Sequence, residues 1–222
     1  MNLYKPVDEH IWTGREASKD LYVYQKVKQI DLEIQNIPIT ANNSFVFLGY
    51  ECDEGVRRNG GRPGAKEGPQ AARSQLAKLP HHLDESTAIF DAGNVVCLGD
   101  DMEKAQSVLA EKVTQVLNNK GIPLLLGGGH DIAYGHLNGI KKYASNDQKI
   151  GIINLDAHFD LRSNENNNNS GTPFYQIAIE CEEENLYFSY LCLGIRNDAN
   201  DSILFQLARE WDVKYIDAEL FH

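Results

Sequence analysis

The chain predicts an α/β domain of three layers, with helices on both faces of a mainly parallel sheet. Three observations carry that expectation. First, Phe45–Tyr50, Ile122–Leu126 and Lys149–Asp156 hold short apolar runs without alternation, the pattern of strands buried on both faces. Second, segments of helical period lie between such runs, so βαβ units follow. Third, the loops richest in chemistry, 53–68, 127–131 and 156–172, each follow a strand. Open α/β sheets bind ligands there, beyond the carboxyl ends of their strands.

In chain order, residues 1–43 are polar and irregular, with a short helix expected around 19–29. They read as an N-terminal extension packed on a single domain at 44–222. After the strand Phe45–Tyr50 comes a Gly-rich loop, Asp53–Gly68, then a helix over Pro69–Lys78 and a strand over Ile89–Leu98. Met102–Asn118 is the clearest helix, and Asn119-Lys120-Gly121 should close it with a glycine cap. The strand Ile122–Leu126 runs into Gly127-Gly128-Gly129-His130. Asp131 stands where a cap for the helix Ile132–Tyr143 belongs. The strand Lys149–Asp156 precedes a polar loop, 161–172. Proline opens a helix at Pro173–Glu183. A strand over Leu186–Ile195, a helix over 201–211 and a strand over Val213–Asp217 complete the pattern.

The 222 residues, 42% hydrophobic, can build a substantial core. A net charge of −11 argues against nucleic acid and anionic membranes as partners. No apolar run is long enough to span a bilayer, and the N-terminus lacks the apolar region of a secretory signal, so a cytoplasmic protein is expected. Cys52, Cys97, Cys181 and Cys192 form no CxxC, which excludes a zinc ribbon and suits reduced thiols.

The chemistry concentrates at Asp156, His158 and Asp160. Alternate residues of an extended backbone share a face, so all three point together while Ala157 and Phe159 turn into packing. Carboxylates and imidazole without thiolate suit Mn²⁺, Fe²⁺ or Zn²⁺, with a lean to Mn²⁺. His130 is the natural further ligand, because three glycines let its backbone pass close to another element. Arg57, Arg58, Arg62 and Lys66 make a basic loop in an acidic chain, able to hold a carboxylate. Arg162 and Ser170-Gly171-Thr172-Pro173-Phe174 deliver further polar groups beside the ligands. His81 and His82 read as exposed and inert, and His136 as an ordinary helix residue.

Gly128-Gly129-His130-Asp131 and Asp156-Ala157-His158-Phe159-Asp160 resemble the ureohydrolase family, the arginase and agmatinase group. Within it, 55–66, 155–162 and 170–174 are most similar to the formimidoylglutamase branch. The resemblance implies an arginase-like three-layer fold and two Mn²⁺ ions. One ion would take His130, Asp156 and Asp160, and the other Asp156 and His158, with Asp156 shared. Asp160 would also accept a hydrogen bond from the attacking hydroxide. The implied reaction is hydrolysis of N-formimidoyl-L-glutamate to L-glutamate and formamide, in histidine degradation. Asn59, Arg62, Arg162, Ser170 and Thr172 would contact this small-molecule substrate, and a homo-oligomer is possible in such a family.

Two departures follow from the same resemblance. Ser170 stands near the place where arginase and agmatinase relatives carry a proton-transferring histidine, which argues against those two activities. The family also draws two aspartates from a late Asp-x-Asp motif, and none occurs after Asp160. The chain is therefore expected to be incomplete at its C-terminus, roughly the N-terminal two-thirds of the domain. On its own it should turn over little substrate and leave a sheet edge uncovered. A guanidino hydrolase, or a non-catalytic relative without a working metal site, is the competing reading.

Overall fold

The computed structural model describes residues 2–8, 10–17, 19–38, 44–144 and 148–220. In chain order they form β1 (Tyr4–Lys5), α1 (Val23–Lys26), β2 (Val27–Gln29), β3 (Ser44–Glu51), α2 (Glu54–Arg58), α3 (Gly68–Leu76), β4 (Ala88–Val96) and α4 (Met102–Asn118). There follow β5 (Gly121–Leu126), α5 (Ile132–Tyr143), β6 (Gly151–Leu155), α6 (Pro173–Glu183), β7 (Ser189–Ile195), α7 (Ser202–Glu210) and β8 (Lys214–Asp217). The α/β class and the dominance of parallel pairing are as expected. Among the described strands only β1 pairs antiparallel, against β4.

The strands do not join into one sheet. A five-stranded sheet runs β1-β4-β3-β5, with β2 also on β4, and a three-stranded sheet runs β6-β7-β8. Among the described residues β5 and β6 each keep one edge without a strand partner. On β6 the residues facing away from the core, Ile153 and Leu155, are 68% and 80% exposed. An apolar surface beside an open edge is a place where another strand can add.

The two faces of β3 explain the layers. Val46, Leu48 and Tyr50 alternate onto one face and pack with Met102, Ala105, Leu109, Val113 and Val116 of α4. Their spacing along α4, three or four residues, is the apolar stripe that makes the helix legible. Phe47 points the other way, against Trp12, Ala77 and Ile89. A second core under α6 and α7 joins Phe159, Leu161, Phe174, Tyr190 and Cys192. Helix α5 lies close on α4. A Cβ at Gly139 would stand 2.6 Å from Val113 Cβ, so only glycine permits that approach.

The face of Trp12 and Phe47 is anchored by an ion pair invisible in the sequence pattern. Arg73 and Asp91 have fully buried side chains and meet in a two-pronged contact, Nε to Oδ2 at 2.7 Å and Nη2 to Oδ1 at 2.8 Å. Asn94 Oδ1 and Gly93 O accept two further guanidinium hydrogens. Trp12 Nε1 donates to Asp91 Oδ2 at 2.7 Å, which ties the N-terminal segment to the same carboxylate.

Several local expectations change. Residues 19–29 hold only the four-residue α1, and 27–29 instead form β2 on Ile89–Asp91 of β4. Edge pairing outweighs the weak helical preference of that segment. The loop 53–68 contains α2 and a 3-10 turn at Ala65–Glu67. The left-handed residue closing α4 is Lys120, at φ 59°, rather than Gly121, which begins β5. His81 is half-buried and lies 3.3 Å from Asp20 Oδ1, so it is not free in solvent. Asp131 does not cap α5, because its side chain is drawn into the core.

Candidate metal centre

The site lies where β5 and β6 end. β5 stops at Leu126, and Gly127–Gly129 carry the chain past the end of β3 to His130. Gly129 N donates to Cys52 O at 2.8 Å. A Cβ on Gly128 would stand 2.0 Å from Cys52 O and 2.7 Å from Tyr50 O, both backbone atoms that cannot swing aside. Gly128→Ala is therefore expected to displace His130 and weaken divalent-metal binding at least tenfold, on the scale of losing a ligand's supporting contact. Calorimetric Mn²⁺ titration checks this, and an unchanged affinity would show that the loop can shift without moving the ligand.

Asp131 supports His130 from below. It is fully buried, its Oδ2 accepts from Tyr50 Oη at 2.9 Å, and Gln106 Nε2 donates to its main-chain oxygen at 2.9 Å. Burial pushes its carboxyl up to about 6. Its Oδ1 is buried without a hydrogen-bond partner among the described residues. That oxygen occupies the space where Gly55 and Gly129 would carry a Cβ, each 2.3 Å away.

The second ligand segment leaves β6 at Leu155, so the three ligands do not sit on the strand itself. They lie in a loop that turns at Asp160, whose φ is 48°. A left-handed backbone at a non-glycine residue is strained and needs surrounding contacts to hold it. Phe159 and Leu161, fully buried on either side, provide part of that hold.

The structure brings His130, Asp156 and Asp160 together. One donor atom from each lies within 4.8 Å of the others. His130 Nδ1 is 2.5 Å from Asp160 Oδ2 and 3.4 Å from Asp156 Oδ2. Burial alone would lower the His130 pKa. The hydrogen bond and charge of Asp160, then the charge of Asp156, outweigh burial and raise it. His158 stands on the other side of Asp156, with Nδ1 3.2 Å from Oδ1. Asp156 thus turns one oxygen toward each imidazole. Two carboxylates and imidazole nitrogen converging without a lysine or arginine among them suit a divalent cation with oxygen and nitrogen ligands.

Asn59, Arg162 and Ser170 reach the same cavity, of about 310 Å3, which Asn200 and Leu204 also line. Arg162 Nη1 donates to Asn59 Oδ1 at 2.8 Å, and Asn59 Nδ2 donates to Ser170 Oγ at 3.1 Å. Two expected substrate contacts fall elsewhere. Thr172 is fully buried, and its hydroxyl serves the turn with Asn169 and Gln176, so it offers no surface to a ligand. Arg62 is exposed outside the cavity lining. Arg57 and Arg58 are occupied by Glu54, and Arg58 also by Glu103, so half of the four basic side chains of that loop are internally paired. Sequence reasoning missed Asn200 and Tyr190. Both act on the ligand loop from distant positions, and no local pattern marks them.

This arrangement has clear relatives. Residues 43–222 match the arginase family. The chain is 40% identical over 218 residues to a formimidoylglutamase of Geobacillus kaustophilus, covering 96% of this chain and 66% of that protein. It is 44% identical over 209 residues to one of Chromobacterium violaceum, covering 92% and 65%. The chain thus spans just under two-thirds of the length of these relatives. Among solved structures, Trypanosoma cruzi formiminoglutamase with Mn²⁺ superposes with a TM-score of 0.71 at 27% identity, over 82% of this chain and 63% of that one. The formimidoylglutamase of Bacillus subtilis shares the fold with a TM-score of 0.77 at 20% identity, over 96% and 64%. The chain belongs to the arginase family.

Proposed function

We propose that this chain carries the metal-binding part of a hydrolase that converts N-formimidoyl-L-glutamate and water to L-glutamate and formamide, a step of histidine degradation. The observation that supports it most is one cavity shared by the His130, Asp156 and Asp160 donors and by Arg162. His130, Asp156, His158 and Asp160 would hold Mn²⁺, with Asp156 between two ions because its oxygens face different imidazoles. Bound there, divalent ions supply Lewis acidity and lower the pKa of water. Asp160 is placed to take the proton that the water loses as its oxygen adds to the amidine carbon. The C–N bond to the glutamate nitrogen then breaks, and that nitrogen leaves with a proton as the amine.

Among the described residues the Arg162 guanidinium donates once, to Asn59, which leaves other guanidinium donors for a substrate carboxylate. Asn59 and Ser170 keep that guanidinium oriented. The four free cysteines suit a reducing cytoplasm. Among the described residues no helix is long and apolar enough to cross a membrane. Residues 1–43 serve in this reading as an extension packed on the domain formed by 44–222.

The test follows glutamate released from N-formimidoyl-L-glutamate, with and without Mn²⁺, by these 222 residues and by the full open reading frame. Mn²⁺-dependent release by the reading frame is expected. Cleavage of agmatine or a guanidino acid in its place would sink the substrate assignment and leave the metal reading standing.

A further inference from the structure

The ligand loop outlasts the sheet that starts it. Beyond β6 two ladder-like bonds continue to β7, Asp156 N to Leu193 O at 3.0 Å and Arg196 N to Ala157 O at 3.1 Å. The backbone after β7 then turns away toward α7. Asn200, 8% exposed, fills the gap with its carboxamide. Its Nδ2 donates to Ala157 O at 2.8 Å, and its Oδ1 accepts from Phe159 N at 3.0 Å. The second Nδ2 hydrogen goes to Arg196 O at 2.8 Å. One amide bonding the carbonyl before His158 and the N–H after it copies what the backbone of a parallel neighbour does for the residue opposite. Tyr190 Oη completes the clamp by donating to Phe159 O at 3.0 Å.

We propose that Asn200 is a positioning residue for the metal centre, its side chain standing in for a strand that holds His158 in place and delivers Asp160 in its left-handed conformation. The inference rests on the metal reading above and adds to it a residue that lines the cavity but acts through the backbone of the ligand loop. Every hydrogen-bonding group of the Asn200 carboxamide is spent on backbone. Asp160 holds a left-handed backbone at φ 48°, and the bonds to Ala157 O and Phe159 N fix the segment that leads into it. Asp201, its neighbour, does different work. Its Oδ1 accepts from Ile203 N and Leu204 N and caps α7.

That difference provides the control. Asp201→Ala loosens the start of α7 and spares the ligand loop, whereas Asn200→Ala releases the ligand loop. Mn²⁺ titration read by the electron-paramagnetic signal of the free ion should show affinity roughly 10–100-fold weaker in Asn200→Ala and within about threefold of wild type in Asp201→Ala. Equal losses in both, or none in either, would overturn the proposal. Asn200→Leu keeps the side-chain volume and serves if the alanine variant does not fold. Amide hydrogen exchange on the metal-free protein tests the clamp separately from the metal. The Phe159 amide should be protected in wild type and in Asp201→Ala, and exposed in the Asn200 variants. If wild type binds no Mn²⁺ while that exchange pattern holds, the metal reading fails and the clamp stands. A fast-exchanging Phe159 amide in wild type overturns the clamp itself.

Discussion

Asp156→Asn is expected to abolish measurable Mn²⁺ binding while leaving the metal-free fold about as stable as wild type. The side chain keeps its shape, and an amide oxygen can still accept from His158 N, as Asp156 Oδ1 does at 3.0 Å. What disappears is the charge that both imidazoles face, His130 at 3.4 Å and His158 at 3.2 Å. Among the described residues Asp156 alone contacts both histidines, so both halves of the proposed site lose a ligand together. The loss in affinity should exceed the roughly 10–100-fold that follows removal of an outer partner alone. Stability should change little. In the metal-free protein Asp160 stays 2.5 Å from His130 Nδ1, so loss of the Asp156 charge, at 3.4 Å, removes only the more distant of its two carboxylate partners. Calorimetric titration with Mn²⁺ beside thermal melts of the apo protein separates the two effects. Binding retained within tenfold would remove Asp156 from the shared position assigned to it.

Arg73→Met is expected to cost about 3–5 kcal/mol of stability, because breaking a buried pair strands the surviving charge. Asp91 would keep only Trp12 Nε1 and Gly93 N as donors, inside a fully buried site. For a chain of this size a loss of that scale lowers Tm by on the order of 10 °C. The effect should spread beyond α3, because Trp12 reaches the same carboxylate and joins the N-terminal segment to the sheet. Replacing both partners, Arg73→Met with Asp91→Leu, should recover part of the loss, since no charge is then left without a partner. Urea melts of the two single variants and the double variant measure the coupling. A single variant within about 1 kcal/mol of wild type would mean that water or rearrangement reaches Asp91, against its burial.

Much of this molecule is legible from local pattern. The bounds of α4 and α6 match the reading from apolar period and from proline at the helix start, because both signals act within a few residues. His130, Asp156, His158 and Asp160 are recognisable as one set because glycines and alternating ligand types sit at the ends of apolar runs. The convergence of His130, Asp156 and Asp160 into a triad needed only that two such runs be strands ending on the same side.

Other features depend on partners far away in the chain, and no window of sequence contains them. Thr172 looks like a substrate contact beside Ser170, yet packing sends one hydroxyl to the cavity and the other into a turn. Arg58 reads as a free cation until Glu103, forty-five positions later, is brought to it. Asp131 has a capping residue's identity and place, and Tyr50 draws it into the core instead. The sequence by itself determined the α/β class, the principal helices and the side chains that make up the candidate metal site. Tertiary structure alone decided which polar groups are buried and paired, where the sheet divides, and how Asp160 is held at its unusual backbone angle. The physical reason is one of range: periodicity and capping are written in neighbours, whereas a buried charge or a clamped loop is stable only through the groups that folding brings against it.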